Sequence, residues 1–175
     1  MDKCCFNHMG SLLNKYCSNL SKITVLDLGS YDVNGTFKPL MKETWKYIGV
    51  DIAQGPNVDM VMPEEYKIPM DDNSVDLLIS GSCLEHVKNP FRLFKEATRI
   101  LKSNCYAFIM VPHDMGLHRF PIDCWRFFPD GMSALFEESN LKVVETYIVE
   151  QKRNDRADGS PRNPHKHCWG IGTKV

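Results

Sequence analysis

Val25-Leu26-Asp27-Leu28-Gly29-Ser30 decides how this chain is read. An apolar run that ends in a carboxylate and a glycine has the form of a strand buried on both faces of a parallel sheet, closed by a turn where backbone can approach a ligand. With Ile23 and Thr24 ahead of it, the strand is expected over Ile23 to Gly29. Tyr47-Ile48-Gly49-Val50-Asp51-Ile52 repeats the pattern and again carries an acid near its end. An acidic residue about 20 positions after the glycine turn of a βαβ unit can accept both hydroxyls of a ribose, so Asp27, Gly29 and Asp51 together point to a nucleoside ligand. Each also has an ordinary reading, with Asp27 capping a helix and Asp51 standing in a turn.

Outward from this pair the chain alternates. Asn7 to Leu20 carries Met9, Leu12, Leu13, Tyr16 and Leu20 at helical steps, which predicts an N-terminal helix within residues 1–20. Phe37 to Lys46 reads as a short helix between the first two strands, and Val58 to Met62 as a short third strand. Val75 to Ser80 is the fourth strand and Lys88 to Lys102 the clearest helix, with Pro90 near its start, where a missing N–H is harmless. Tyr106 to Pro112, Leu141 to Val149 and Cys168 to Val175 complete the strands, and Ser133 to Ser139 is a further helix. The last two strands are separated by Gln151 to His167 without a helical pattern, which predicts a hairpin with a long loop. The expected fold is therefore α/β: a Rossmann-like, doubly wound, mostly parallel seven-stranded sheet with a C-terminal antiparallel hairpin and helices on both faces. Residues 1–175 are read as a single domain, whose ligand site lies beyond the carboxyl ends of the strands.

Bulk properties narrow the partners. A formal charge of -1, from 21 basic and 22 acidic residues, gives no global field toward nucleic acid or an anionic membrane. Apolar runs such as Tyr106 to Val111 are far shorter than the roughly 20 residues of a membrane-spanning helix. The start, Met1-Asp2-Lys3-Cys4-Cys5, lacks a secretory pattern, so a cytoplasmic location is expected. The 7 cysteines include no C-x-x-C pair; they read as reduced, packed thiols, and no metal site is expected.

Four motifs in order give the chain a resemblance to the class I S-adenosylmethionine-dependent methyltransferases, from about Ile23 to Phe136. They are Val25 to Gly29, Tyr47 to Asp51, Ile68-Pro69-Met70-Asp71-Asp72-Asn73-Ser74-Val75-Asp76, and Leu84-Glu85-His86-Val87-Lys88-Asn89-Pro90. Ser30 to Gly35 and His118 to Phe127 resemble a bacterial subgroup thought to act on cell-surface sugars. The resemblance implies S-adenosylmethionine as cofactor and S-adenosylhomocysteine as product. It implies that Asp27 and Gly29, with Ser30 and Tyr31 beside them, border the methionine part, and that Asp51, followed by Ile52, holds the ribose. Glu64 and Glu65 then match the adenine position, and Ser80 and Gly81 the floor beneath the sulfonium. Two departures stand out. Tyr31 and Val33 replace the family's usual glycines, and Ser103-Asn104-Cys105 replaces a Pro-Gly-Gly turn, where Asn104 can adopt the left-handed conformation.

Methyl transfer to oxygen or nitrogen needs an aligned acceptor and one base, for which His113, His86 and His118 are candidates. His113 ranks first because it directly follows the fifth strand; His86 is read equally well as a capping residue. The loop from His113 to Arg126 is taken as the acceptor wall, with Arg119 and Arg126 gripping an anion, Asp123 among the contacts and Trp125 stacking on a ring. Its alternative is a loop folded on its own aromatics, with Arg126 paired to Asp123. Residues 152–166 are either a solvated hairpin loop or a lid over an anionic substrate such as a nucleotide-activated sugar. The expected partner is thus a small molecule, anionic or sugar-containing, and not nucleic acid. Two other functions compete: a non-catalytic binding protein that keeps the fold, and a dinucleotide-dependent Rossmann enzyme, for which Gly29 to Asn34 lacks the G-x-G-x-x-G pattern.

Overall fold

In the computed structural model, which describes residues 3–151 and 164–175, two interleaved sets of apolar side chains build the sheet. Along Thr24–Leu28 (β1), Val25 faces one side and Leu26 and Leu28 the other, all buried. The alternation continues in Val75–Gly81 (β4), where Leu77 and Ile79 oppose Leu78, and in Leu101–Asp114 (β5), where Phe108 and Met110 oppose Ala107, Ile109 and Val111. Strands covered on both faces favour a parallel sheet. Accordingly β1 pairs in parallel with β4 and with Lys46–Asp51 (β2), β2 with Met60–Val61 (β3), and β4 with β5. Direction then reverses. His165–Lys174 (β7) runs antiparallel to β5 and to Leu141–Gln151 (β6), which completes a seven-stranded sheet ordered β3-β2-β1-β4-β5-β7-β6.

Lys3–Cys17 (α1) lays Met9, Leu12 and Leu13 on the face that carries Val25, Leu77, Phe108 and Trp169. Pro90–Ile100 (α2) and Pro129–Glu137 (α3) cover the opposite face, where Phe94 and Phe136 stack with ring centres 5.3 Å apart. The start of α2 is written locally: the Asn89 side chain accepts the Arg92 amide at 3.0 Å, and Pro90 takes a position whose amide is not needed.

The expected α/β architecture forms, with adjusted boundaries. The helix expected over Phe37 to Lys46 is absent, and only the 3-10 turn Lys38–Leu40 takes its place. Its apolar residues do not line a helical face; Phe37 and Trp45 are instead packed separately into the core beneath α1. The first helix ends at Cys17 rather than Leu20, with the Leu20 amide turned onto the Cys17 carbonyl at 3.1 Å. The fifth strand begins at Leu101, which pairs with Val75 across a register shift, and Asn104 beside that shift adopts φ 62°. The third helix starts earlier, at Pro129, and the last strand at His165. β6 and β7 do form an antiparallel pair, but most of the proposed lid, residues 152–163, lies outside the described residues. All 7 cysteines are free thiols, and among the described residues no helix is long and apolar enough to cross a membrane.

Candidate active site

A cavity of about 830 Å³ opens where the carboxyl ends of β1, β2, β4 and β5 meet. That volume lies within the range of small-molecule sites. At one end it is bounded by Asp27, Gly29, Tyr31 and Asp51, and at the other by Glu85, His86, His118 and Arg119. The connection after Gly29 contributes its backbone and side chains directly to the wall, since no helix forms there.

Hydrogen bonding fixes the first end. Gly29 turns the chain at φ 77°, a conformation that glycine adopts without steric penalty, and a Cβ there would lie 2.4 Å from that of Cys83. The amides of Gly29 and Ser30 both donate to the Val50 carbonyl, at 2.8 and 3.1 Å, which ties the turn to β2. Asp27 is buried and accepts the Tyr47 hydroxyl at 2.6 Å; Asn57 donates to Tyr47 at 2.7 Å and to the Ser30 carbonyl at 3.0 Å. Burial pushes the Asp27 carboxyl up to about 7 despite the Tyr47 hydrogen bond, and the nearby Asp51 charge adds to the rise. Asp51 accepts the Tyr31 amide at 3.1 Å on one oxygen and the Ala53 amide at 3.2 Å on the other. Each carboxylate oxygen can accept more than one hydrogen bond, so Asp51 retains acceptor capacity toward the cavity. Exposed Ile52 and Tyr31 flank it, and the Tyr31 ring lies against Gly55.

At the other end, Ser82 at φ 54° redirects the chain out of β4, and the 3-10 turn Leu84–His86 follows. Leu84 enters the core, Glu85 is only 1% exposed, and His86 bonds through Nδ1 to the Ile122 carbonyl at 2.6 Å. A carbonyl only accepts, so Nδ1 carries the proton and Nε2 is left as an acceptor. The ring centres of His86 and His118 are 5.3 Å apart, and Phe120 stands beside both. Burial lowers the His86 pKa, which favours the neutral imidazole near pH 7.

The remaining candidates are placed elsewhere. His113 does not line the cavity. It sits at a register shift between Pro112 and Asp114, and its Nδ1 bonds to the Phe127 carbonyl at 2.9 Å while its ring meets Phe128. Asp123 and Arg126 form a two-pronged ion pair, at 2.5 and 2.7 Å, and Arg126 also donates to the carbonyls of Met115, Gly116 and Trp125. The Arg126 guanidinium holds the Asp123 carboxyl well below the usual range. The Trp125 indole donates to the Val87 carbonyl at 2.8 Å. Asp123 and Arg126 tie the loop to itself and Trp125 fastens it onto the Leu84–Val87 segment; none of the three lines the cavity, whereas Arg119 does. Ser80 is turned into the sheet, its hydroxyl donating to the Leu28 carbonyl at 2.8 Å, and the exposed Glu64 faces Lys67 at 3.6 Å. Glu65, Ile52, Ser30 and Gly81 do line the cavity. Sequence reading missed Glu85, Ser82 and Cys83 as lining residues, and the pair His165 and His167 at the start of β7. Arg126→Ala should lower stability by about 2–3 kcal/mol in urea unfolding, because it strands the Asp123 carboxylate, whose side chain is 2% exposed. A loss under about 0.5 kcal/mol would show that the loop does not depend on this pair.

Residues 26–109 match a family model described as a methyltransferase domain. Over nearly their whole lengths the fold resembles solved structures of low identity. The YcgJ protein from Bacillus subtilis is 14% identical with a TM-score of 0.69, and covers 96% of this chain and 98% of that one. A SAM-dependent methyltransferase from Methanosarcina mazei is 15% identical with a TM-score of 0.70, covering 94% and 97%. The 1,6-didemethyltoxoflavin-N1-methyltransferase of Burkholderia thailandensis, solved with 1,6-didemethyltoxoflavin and S-adenosylhomocysteine, is 13% identical with a TM-score of 0.72, covering 99% and 80%. No curated protein sequence matches significantly.

Proposed function

We propose that this chain, which carries a class I S-adenosylmethionine-dependent methyltransferase domain, transfers the methyl group of that cofactor to an oxygen or nitrogen of a small polar acceptor. The observation that carries the reading is one continuous cavity lined by the strand-end carboxylate of Asp51 and by two histidines, His86 and His118. The residues present fit the cofactor. Gly29 makes, at the cavity, a turn that a side chain would strain and drive into Cys83, Asp51 has lone pairs for the ribose hydroxyls, and Ile52 and Glu65 line the cavity where the adenine is expected. When bound, S-adenosylmethionine supplies a methyl group already activated by its sulfonium. The protein therefore has to align the acceptor, keep water away and accept a proton.

Arg119 supports an acceptor with a carboxylate, a phosphate or a nucleotide-sugar group, since it is the guanidinium that lines the cavity without an ion pair recorded among the described residues. Sugars and nucleotide-sugars are thus the first acceptors to screen. The free thiols suit a reducing, cytoplasmic setting.

Calorimetry with S-adenosylmethionine and S-adenosylhomocysteine tests the reading, and absence of binding by both would overturn it. Asp51→Ala should weaken binding of S-adenosylhomocysteine by at least about tenfold, through loss of charge-assisted ribose contacts worth roughly 1.5–3 kcal/mol. An unchanged affinity would put the ribose elsewhere.

A further inference from the structure

We propose that Glu85 receives the proton of the methyl-accepting atom: the residue is part of the cavity wall, its carboxyl is closed to solvent while no ligand is bound, and neither carboxyl oxygen is hydrogen-bonded within the protein. This rests on the methyl-transfer reading and assigns a base within it. A buried polar group without a partner calls for an explanation, and His86, a polar side chain close to it, lines the same cavity. The carboxyl is also held firmly. Leu84 anchors its turn in the core, and the Glu85 carbonyl accepts the amides of Cys124 at 2.7 Å and Trp125 at 3.3 Å.

Its surroundings leave the charge uncompensated. Ser82 and Arg126 favour the carboxylate and Asp123 opposes it, but Arg126 is already committed to Asp123. His86 Nε2 stands 3.6 Å from the carboxyl, and the Cys83 thiol is pushed up partly by the Glu85 charge, with Asp51 and Asp27 acting on the same thiol from β2 and β1. His118 faces the same end of the cavity from the loop. Burial dominates and lifts the carboxyl to about 8. The counter-charge must therefore arrive with a ligand. S-adenosylmethionine brings a positive sulfonium, whereas S-adenosylhomocysteine is a neutral thioether there, so the substrate form favours an ionised Glu85 and the product form a protonated one.

The step balances. The acceptor lone pair forms the new bond to carbon, the carbon–sulfur bond breaks with its electrons left on sulfur, and the acceptor proton passes to the Glu85 carboxylate. His86 Nε2, made an acceptor by the commitment of Nδ1 to Ile122, carries the proton onward to solvent. The acceptor class is one that bears an exchangeable N–H or O–H at the methylated atom.

The test uses the purified chain at pH 7.5, titrated calorimetrically with S-adenosylmethionine and with S-adenosylhomocysteine in two buffers of different ionisation enthalpy. The wild type should release more protons with the first ligand than with the second. That difference should vanish in Glu85→Gln and persist in Glu145→Gln, which removes a carboxyl outside the cavity lining. Equal release by both ligands in the wild type, or a difference that survives Glu85→Gln, overturns the proposal. If neither ligand binds the wild type, the methyl-transfer reading itself falls. With an acceptor found by screening, Glu85→Gln should reduce kcat by about 10²–10³-fold with S-adenosylhomocysteine affinity within about threefold. An unchanged kcat in that cofactor-binding variant overturns the role as base. Glu85→Ala, read by the same titration, serves if Glu85→Gln does not fold.

Discussion

Glu85→Gln is expected to melt above the wild type at pH 8, by roughly 10 °C, and level with it near pH 4. The sign follows from linkage. The Glu85 carboxyl ionises near its ordinary 4.5 in the unfolded chain but at about 8 in the folded one. Between those values the folded state holds more protons, so stability falls as pH rises from 4.5 and levels off above 8. The full difference is about 5 kcal/mol, of which about 4 is expressed at pH 8, and at 2–4 °C per kcal/mol this gives the stated shift for a domain of this size. Glutamine keeps the shape, carries no charge, and escapes this penalty. Asp27, lifted from 3.8 to about 7 by burial, adds a loss of the same sign over a lower window. Wild-type thermal unfolding followed from pH 4 to 9 should thus show a falling melting temperature, with the slope above pH 7 reduced in the variant. A variant less stable than the wild type at pH 8 would mean that the carboxylate has a partner in solution.

Gly29→Ala should reduce stability by about 2–5 kcal/mol and weaken S-adenosylhomocysteine binding more than tenfold in whatever fraction folds. Two effects combine. An L-residue at φ 77° is strained by roughly 1–2 kcal/mol, and the new Cβ would lie 2.4 Å from the Cys83 Cβ and 3.5 Å from its Cα. Those atoms cannot rotate away, so β1 and the segment after β4 must part, at a further cost of about 1–3 kcal/mol. Cys83→Gly in the same chain removes the clash but not the backbone strain, so a double-mutant cycle in urea should recover about half of the loss. A cost below about 1 kcal/mol for the single change would indicate a different turn after β1.

Much of this site is visible in the sequence because it depends on strand ends. Asp27, Gly29 and Asp51 sit where buried apolar runs stop, and parallel pairing brings those stops to one edge. The expected helix over Phe37 to Lys46 fails for a tertiary reason: Phe37 and Trp45 fill gaps beneath α1, so their spacing reports two separate contacts rather than one helical face. His113 is drawn off the cavity although it follows β5 closely in sequence, since its ring is taken up by Phe127 and Phe128 at a register shift of the strand. Glu85 was overlooked because a charged residue is read as solvated by default, and its burial is imposed by the loop that closes over it. One signal was available: the glutamate lies between Leu84 and His86, just beyond the end of a strand with the apolar centre Leu77-Leu78-Ile79. Arg126, by contrast, illustrates a residue whose type suggests recognition while its contacts serve the loop.

The connection from β1 to β2, with its single short turn, leaves much of the cavity wall without a rigid element behind it. In most doubly wound units a crossover helix would fix that wall by packing against the sheet before any ligand arrives. Here residues 29–37 are anchored by a handful of hydrogen bonds, among them those of Asn57 and Asp51. The ligand therefore becomes a packing partner of the protein as well as its guest. Occupancy should tighten this stretch further, coupling the energetics of recognition to those of folding within it.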